Sequence, residues 1–167
     1  MDYEQALPKL TEQGIRYLVV GAIGAALSGY TRATMDLDLL VDLDEKNLQK
    51  VLAFMEQAKY VPRAPVPANE LLDPKKRQAW YDEKNLRAFT FVNLQNPTED
   101  IDLLLYSPIV FGEAWDRKQT VHLNKIPIYV ASIDDLITLK KGAVQNRKLP
   151  KDIYDLAALE KLQRRTT

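Results

Sequence analysis

Hydrophobic and polar residues alternate along the first quarter of the chain in a helix, strand, helix, strand pattern. Residues 3–12 have helical spacing, and the β-branched and aromatic run at 15–20 is typical of a buried strand. Small residues from Gly21 onward predict a short helix packed close to a sheet. Residues 35–41 predict the next strand.

The rest of the chain continues this alternation. An amphipathic helix follows Asp44, which is placed to cap it, and Ser132 with Asp135 forms a capping-box pattern at the start of another helix. Pro150 is placed to begin the last helix. The remaining strands are predicted at residues 88–94 and 101–106 and in a hairpin at 121–130. Together these patterns predict an α/β (α+β) fold, with a mixed sheet of about four to six strands flanked by helices.

One stretch breaks the pattern. Residues 62–74 contain four of the nine prolines, which predicts a loop or a mobile lid without regular structure. The stretch is too short to link two domains, and 167 residues are enough for one hydrophobic core. We therefore expect residues 1–167 to form a single domain.

Composition excludes several kinds of chemistry. The chain has no cysteine, so a thiol nucleophile, a cysteine zinc site and a disulfide framework are ruled out. His122 is the only histidine, which excludes a metal site built from histidines. The longest apolar run, at 17–27, is shorter than the roughly 20 residues of a membrane span, and the acidic start does not resemble a signal peptide. We expect a soluble cytoplasmic protein without a membrane partner.

Charge is balanced overall but uneven along the chain. With 23 basic and 23 acidic residues the net charge is zero, so composition does not favour extended nucleic-acid binding. Basic residues crowd one segment and acidic residues another: Lys140, Lys141, Arg147, Lys148 and Lys151 against Asp36, Asp38, Asp42 and Asp44. A phosphate-bearing ligand with a metal ion would fit between two such regions.

Two aspartates stand one residue apart on the strand predicted at 35–41. Side chains two apart on a strand share a face, so Asp36 and Asp38 project together. They either face solvent or hold a cation between them, since an unpaired buried carboxylate is costly. Hard divalent cations prefer carboxylate oxygens, and two such ions can activate a hydroxyl and stabilise a leaving pyrophosphate. Asp102, on a neighbouring strand, is the candidate third ligand.

These residues carry a family resemblance. The stretch "GAIGAALSGYTRATMDLDLLV" resembles the signature of the nucleotidyltransferase superfamily that includes DNA polymerase beta. Together with "IDLLLY" and "YVASIDDLITLKKGAVQNRKLPKDIYDLAAL" it is most similar to the small AbiEii-like abortive-infection and toxin-type branch. The resemblance covers residues 15–42 and 100–160. It implies that Gly21 and Ala22 hold the nucleotide phosphates, and that Asp36, Asp38 and Asp102 are catalytic residues that bind two Mg²⁺ ions, with Mn²⁺ as the alternative.

Other positions matched by the resemblance have two interpretations each. Arg32 either contacts phosphate or pairs with an aspartate and orients it, and Thr34 accompanies it in the nucleotide site. Lys140 and Arg147 either bind nucleotide or belong to a solvated helix with ordinary ion pairs. Ala22 departs from the family, which has glycine or serine there, and so removes a hydroxyl donor while keeping the backbone N–H.

Three functions follow from the sequence. The first is transfer of a nucleoside monophosphate from a nucleoside triphosphate (NTP) to a hydroxyl on RNA such as transfer RNA, on a protein or on a small molecule. In this form the protein would be an enzyme, and in the toxin-type branch it would have an antitoxin partner. The second is a catalytically weak nucleotide-binding or partner-binding domain, in which Ala22 impairs the site. The third is a metal-dependent phosphohydrolase with water as acceptor.

Overall fold

The computed structural model describes residues 3–30, 34, 36–96, 98–147 and 149–166. Within these residues, seven strands form one mixed sheet in the order β3-β4-β5-β2-β1-β7-β6. The strands are β1 (Tyr17–Val19), β2 (Leu37–Val41), β3 (Tyr60–Pro62), β4 (Ala88–Asn93), β5 (Asp100–Leu104), β6 (Gln119–Leu123) and β7 (Ile126–Val130). The fold class is the predicted one. The strand count exceeds the expected four to six because β3 lies at the edge of the stretch predicted as irregular.

Strand pairing determines where the acidic residues lie. β1 and β2 are antiparallel, whereas β2 and β5 are parallel neighbours at the centre of the sheet. β4 runs antiparallel to β5 on its other side. The register places Asp38 directly opposite Asp102, and Thr90 of β4 directly opposite Asp102 on the far side.

Helices cover both faces of the sheet unevenly. They are α1 (Tyr3–Glu12), α2 (Gly21–Leu27), α3 (Glu45–Gln57), α4 (Pro74–Lys84), α5 (Phe111–Asp116), α6 (Ile133–Arg147) and α7 (Pro150–Thr166). The larger core packs α1 and α3 against one face, with Leu7, Leu48 and Phe54 fully buried. The smaller core lies on the other face, where Leu136 of α6 and Leu159 of α7 are buried. The second face is only partly covered, which leaves room for a cleft.

The two predicted helix caps and the predicted hairpin turn are present in the structure. The Asp44 side chain accepts hydrogen bonds from the backbone N–H groups of the first turn of α3. At the start of α6, the backbone N–H of Asp135 donates to Ser132 Oγ at 3.1 Å. Asn124 and Lys125, at the turn of the predicted hairpin, both have positive φ. Positive φ at two successive residues is the geometry of a tight hairpin turn.

The proline-rich stretch is more regular than its composition predicts. Residues 60–62 pair with β4 as strand β3, and Ala68–Leu72 form a 3₁₀ helix in which Leu71 is fully buried. The prediction of a loop without regular structure is therefore wrong at these positions. Helix α4 was not predicted at all. Asp73 caps it, and Pro74 stands at its first position.

None of the helices in the described part of the chain is long and apolar enough to cross a membrane.

Candidate active site

The central strands bring two predicted site residues to the same place. Asp38 and Asp102 are Cα partners on the parallel strands β2 and β5, and adjacent strands lie about 4.8 Å apart. Asp36 stands two residues before Asp38, just outside β2. All three aspartates line one cleft with a volume of about 780 Å³ on the partly covered face of the sheet. The structure thus places the three predicted carboxylates around a common space.

Burial and like charge both act on Asp38. Burial raises the pKa of its carboxyl to about 6, and the nearby charges of Asp102 and Asp36 act in the same direction. Lys140 and Arg147 oppose this effect, because a positive charge favours the ionised form. Asp38 therefore sits where a cation would be strongly favoured.

Asp102 is held differently. Burial raises its pKa as well, but Thr90 Oγ1 donates to Asp102 Oδ1 at 2.5 Å and lowers it. The charges of Asp36 and Asp100 raise the pKa further, and Arg63, which is ion-paired with Asp100, lowers it. The cations that act on Asp102 thus differ from those that act on Asp38.

Gly21 makes room for the Asp38 carboxylate. It has φ +62, which disfavours any residue with a side chain, and a Cβ atom there would overlap the Asp38 carboxyl group. On the neighbouring residue, Val20 N–H donates to the backbone oxygen of Asp38 at 3.0 Å. The end of β1 is therefore fitted closely around Asp38, and glycine is required at position 21 for this reason as well as for the turn into α2.

The three aspartates have the right chemistry for a hard divalent cation. Carboxylate oxygens are the preferred ligands of Mg²⁺, and the charges of Asp102 and Asp36 add to burial in raising the pKa of Asp38. Within the described ranges, however, no three acidic or histidine side chains are already arranged to hold a metal ion. Rotation of side chains would have to accompany binding.

A buried ion-pair cluster joins α6 to α7 beside the carboxylates. Lys140 Nζ lies 3.1 Å from Asp152 Oδ1 and 2.9 Å from Asp155 Oδ2, and all three side chains are buried. Arg147, which is more exposed, reaches the same Asp152 oxygen at 3.1 Å. The interpretation of this segment as a solvated helix is wrong for Lys140, because its partners come from the next helix and exclude water.

The predicted nucleotide-binding residues lie around the same cleft. Those that line it are Gly21, Ala22, Thr34, Lys140 and Arg147. Arg32 lies outside the described residues. Sequence reasoning missed Arg87, Thr90 and Tyr106, which strand pairing brings to the cleft or to Asp102. Alternation along β4 places Thr90 on the same face as Ala88, a pattern visible in the sequence once β4 is paired with β5.

Comparison with solved structures shows which architecture this is. The lincosamide antibiotic adenylyltransferase LnuA, lincomycin-bound, matches with a TM-score of 0.57 and 14% identity, over 97% of this chain and 98% of that one. The antibiotic-resistance factor ANT(2″)-Ia matches with a TM-score of 0.58 and 12% identity, over 98% and 89%. An antigenic nucleotidyltransferase-like protein from Paracoccidioides brasiliensis matches with a TM-score of 0.51 and 15% identity, over 95% and 75%.

This chain has a nucleotidyltransferase fold. No family model matches the sequence, and comparison with curated proteins finds no match. The expected fold is thus confirmed, whereas membership of the superfamily and closeness to the AbiEii-like branch stay predictions. In a nucleotidyltransferase fold, the cleft with its three carboxylates is the candidate active site.

Proposed function

We propose that this protein transfers a nucleoside monophosphate from an NTP to a hydroxyl acceptor, with Mg²⁺ as cofactor. The observation that carries the proposal is the cleft, in which Asp36, Asp38 and Asp102 face basic side chains within a nucleotidyltransferase fold. A divalent cation would balance the three carboxylates, and the triphosphate would meet Lys151 and the exposed Arg147, which shares its charge with Asp152.

The basic side of the cleft suits the triphosphate. Lys140, Arg147 and Lys151 line it, and the buried carboxylates of α7 hold Lys140 in place. Phosphate oxygens are good acceptors for Lys and Arg donors. Ala22 can offer only its backbone N–H, so these side chains would take a larger share of phosphate binding than in relatives with serine there.

The reaction follows from this arrangement. The acceptor oxygen forms a bond to the α-phosphorus, the bond from that phosphorus to the bridging oxygen breaks, and pyrophosphate leaves towards the basic side. Asp102, whose pKa is raised by burial, accepts the hydroxyl proton. Mg²⁺ bound to Asp36, Asp38 and Asp102 would supply positive charge that activates the hydroxyl and stabilises the departing pyrophosphate. The products are the nucleotidylated acceptor, pyrophosphate and a proton.

The proposal includes three classes of acceptor and one biological role. LnuA is named a lincosamide antibiotic adenylyltransferase and one ANT(2″)-Ia structure contains adenylyl-2″-tobramycin, which makes a small-molecule hydroxyl one candidate acceptor. Resemblance to the toxin-type branch adds RNA, transfer RNA in particular, or protein as acceptor. It also adds a cytoplasmic toxin role with an antitoxin partner. Each acceptor class offers the same reacting group, a hydroxyl oxygen.

Transfer of label from α-³²P-labelled NTPs tests the activity. We expect Mg²⁺-dependent incorporation into a fraction of total RNA, protein or small metabolites. Asp38→Asn should lose about a hundredfold or more, because an amide cannot replace the charge that holds the cation. Asp116→Asn, an exposed change on α5, is the matched control and should retain activity.

The other outcomes identify the alternatives. Nucleotide binding without transfer to any acceptor would indicate the inactive binding domain that Ala22 suggests. Release of free labelled monophosphate without an acceptor would indicate a phosphohydrolase. Full transfer activity in Asp38→Asn would contradict the assigned site.

A further inference from the structure

The cleft has two chemically different walls, and the carboxylates lie between them. Across the sheet the order is β4, β5, β2, β1, with α2 following β1 and α6 packed on α2. Lys140 and Arg147 therefore stand on the β1 side, and their charges act on Asp38. The opposite wall, here called the β4–β5 wall, is formed by Arg87, Ala88, Leu104, Tyr106 and Pro108.

Aromatic stacking builds the β4–β5 wall. The rings of Tyr106 and Tyr81 stack with their centroids 4.2 Å apart and an interplanar angle of 27°. Tyr106 lines the cleft and Tyr81 does not, so Tyr106 presents the pair to the cleft. Its hydroxyl donates to Gln78 Oε1 at 3.0 Å, which fixes the ring on α4. This wall offers a flat, rigid surface.

Arg87 adds a positive charge to this surface. Its guanidinium lies 5.9 Å from the Tyr81 ring centroid, and its Nε donates to the neutral Asn85 side chain at 3.3 Å. Its backbone oxygen accepts from the N–H groups of Leu105 and Tyr106, so the residue is anchored to the end of β5. Within the part of the chain that is described, Arg87 has no carboxylate partner, and its charge is available to a ligand.

The direction of the reaction assigns a role to this wall. In phosphoryl transfer the attacking and leaving oxygens are roughly in line on opposite sides of the phosphorus. If pyrophosphate leaves towards Lys140 and Arg147, the acceptor hydroxyl must arrive from the side of β5 and β4. We propose that the β4–β5 wall is the acceptor subsite, with Arg87 and Tyr106 as its specificity-determining residues. This proposal rests on the nucleotidyltransferase function proposed above.

The chemistry of the wall indicates the class of acceptor. Tyr106 suits stacking against a planar ring, and Arg87 suits an anionic group such as a phosphate. The five described residues that form this wall include no carboxylate, and Asp102 of β5 stands beside it. Tobramycin is a polycation, and its adenylylated form is bound in one ANT(2″)-Ia structure. On this wall it would meet the positive charge of Arg87 and no carboxylate. The wall thus fits a nucleoside phosphate, either free or at the end of an oligonucleotide.

Binding measurements with the donor side filled test this proposal. The protein is saturated with Mg²⁺ and a non-hydrolysable ATP analogue, then titrated with uridine 5′-monophosphate, a single-stranded RNA trinucleotide or tobramycin. We expect the wild type to bind the monophosphate at least about tenfold more tightly than tobramycin. Tighter binding of the trinucleotide than of the monophosphate would identify an oligonucleotide end, and equal binding a free nucleotide.

Variants on the wall sharpen the test. Arg87→Glu, at an exposed position, should reverse the preference towards tobramycin, whereas Lys84→Glu makes the same charge change outside the cleft and should not. Tyr106→Leu should weaken monophosphate binding about fivefold or more, and Tyr106→Phe should retain it. Neither Arg87→Glu nor Tyr106→Leu should change affinity for the ATP analogue more than about twofold, since that ligand occupies the other wall.

These measurements distinguish failure of the acceptor subsite from failure of the proposed function. If the wild type binds neither the ATP analogue nor the corresponding analogues of the other three NTPs, the proposed function itself is wrong. If it does bind one of these analogues, three results would overturn the acceptor subsite: no binding of either nucleotide probe, a preference for tobramycin, or no change in preference on Arg87→Glu.

Discussion

Replacing Asp38 by asparagine should stabilise the protein in the absence of divalent ions, and only at neutral pH. The pKa of this carboxyl rises from 3.8 to about 6, chiefly through burial. A shift of about two pKa units corresponds to about 2.7 kcal/mol of free energy of unfolding, at 1.36 kcal/mol per unit. The ionised carboxylate therefore destabilises the native state by about this amount at pH 7.5.

Proton binding to Asp38 determines how the free energy of unfolding changes with pH. Between pH 4 and pH 6 the native state holds a proton on Asp38 that the unfolded chain has released. Stability from this group is therefore fully present below pH 4 and declines as pH rises, and the loss is complete above about pH 6. Asparagine cannot ionise, so Asp38→Asn should escape this loss.

Urea denaturation at pH 4 and pH 7.5, in EDTA and at fixed ionic strength, measures the effect. Asp38→Asn should exceed the wild type by about 2–3 kcal/mol at pH 7.5 and match it at pH 4. The exposed Asp116→Asn should remain within about 0.5 kcal/mol of the wild type at both pH values. If the difference for Asp38→Asn were the same at both pH values, the carboxylate would not be buried among like charges.

Three further changes test the surroundings of the site. Gly21→Ala should place a methyl group against Asp38 at a residue whose backbone is left-handed. We expect the free energy of unfolding in urea titrations to fall by about 1–3 kcal/mol and the Mg²⁺-dependent protection from thermal unfolding to disappear. Lys140→Met should lower the unfolding free energy by about 3–5 kcal/mol at pH 7.5, since the buried Asp152 and Asp155 both lose this ammonium group and Arg147 reaches only Asp152. Thr90→Val removes a hydrogen bond that lowers the pKa of Asp102, so the acidic limb of the pH–rate profile should move to higher pH.

The sequence was sufficient to locate those strands and helices that contain a clear apolar run or an apolar stripe. β2 is a short apolar run and the helix capped by Asp44 has helical periodicity, so both form close to where they were predicted. Helix α4 has only Arg77 and Trp80 buried, and its polar residues surround it on every side. Without an apolar stripe, its sequence looks like a loop. Its helical state depends on Asp73, Pro74 and packing on the 3₁₀ helix.

The site was predictable where chemistry is local in the sequence and not where it depends on pairing. The pair Asp36 and Asp38 is visible in one short stretch, and Asp102 was the candidate third ligand on a neighbouring strand that the resemblance also matches. The ion pairs of Lys140 require two helices to meet, and Arg87 reaches the cleft only because β4 pairs with β5. Register between distant strands is set by the whole sheet, so no short stretch of sequence contains it.

The two central carboxylates have different charged and polar neighbours, which suits them to different roles. Asp38 and Asp102 are Cα partners and share the same cleft, yet Lys140 and Arg147 act on the first, and Thr90 and Arg63 act on the second. A group beside the leaving pyrophosphate benefits from nearby cations, whereas a group that takes up the hydroxyl proton needs a raised pKa and a fixed orientation. One oxygen of Asp102 is fixed by Thr90, which leaves the other for the acceptor. The asymmetry therefore supports an acceptor that arrives over β5 and a pyrophosphate that leaves over β1.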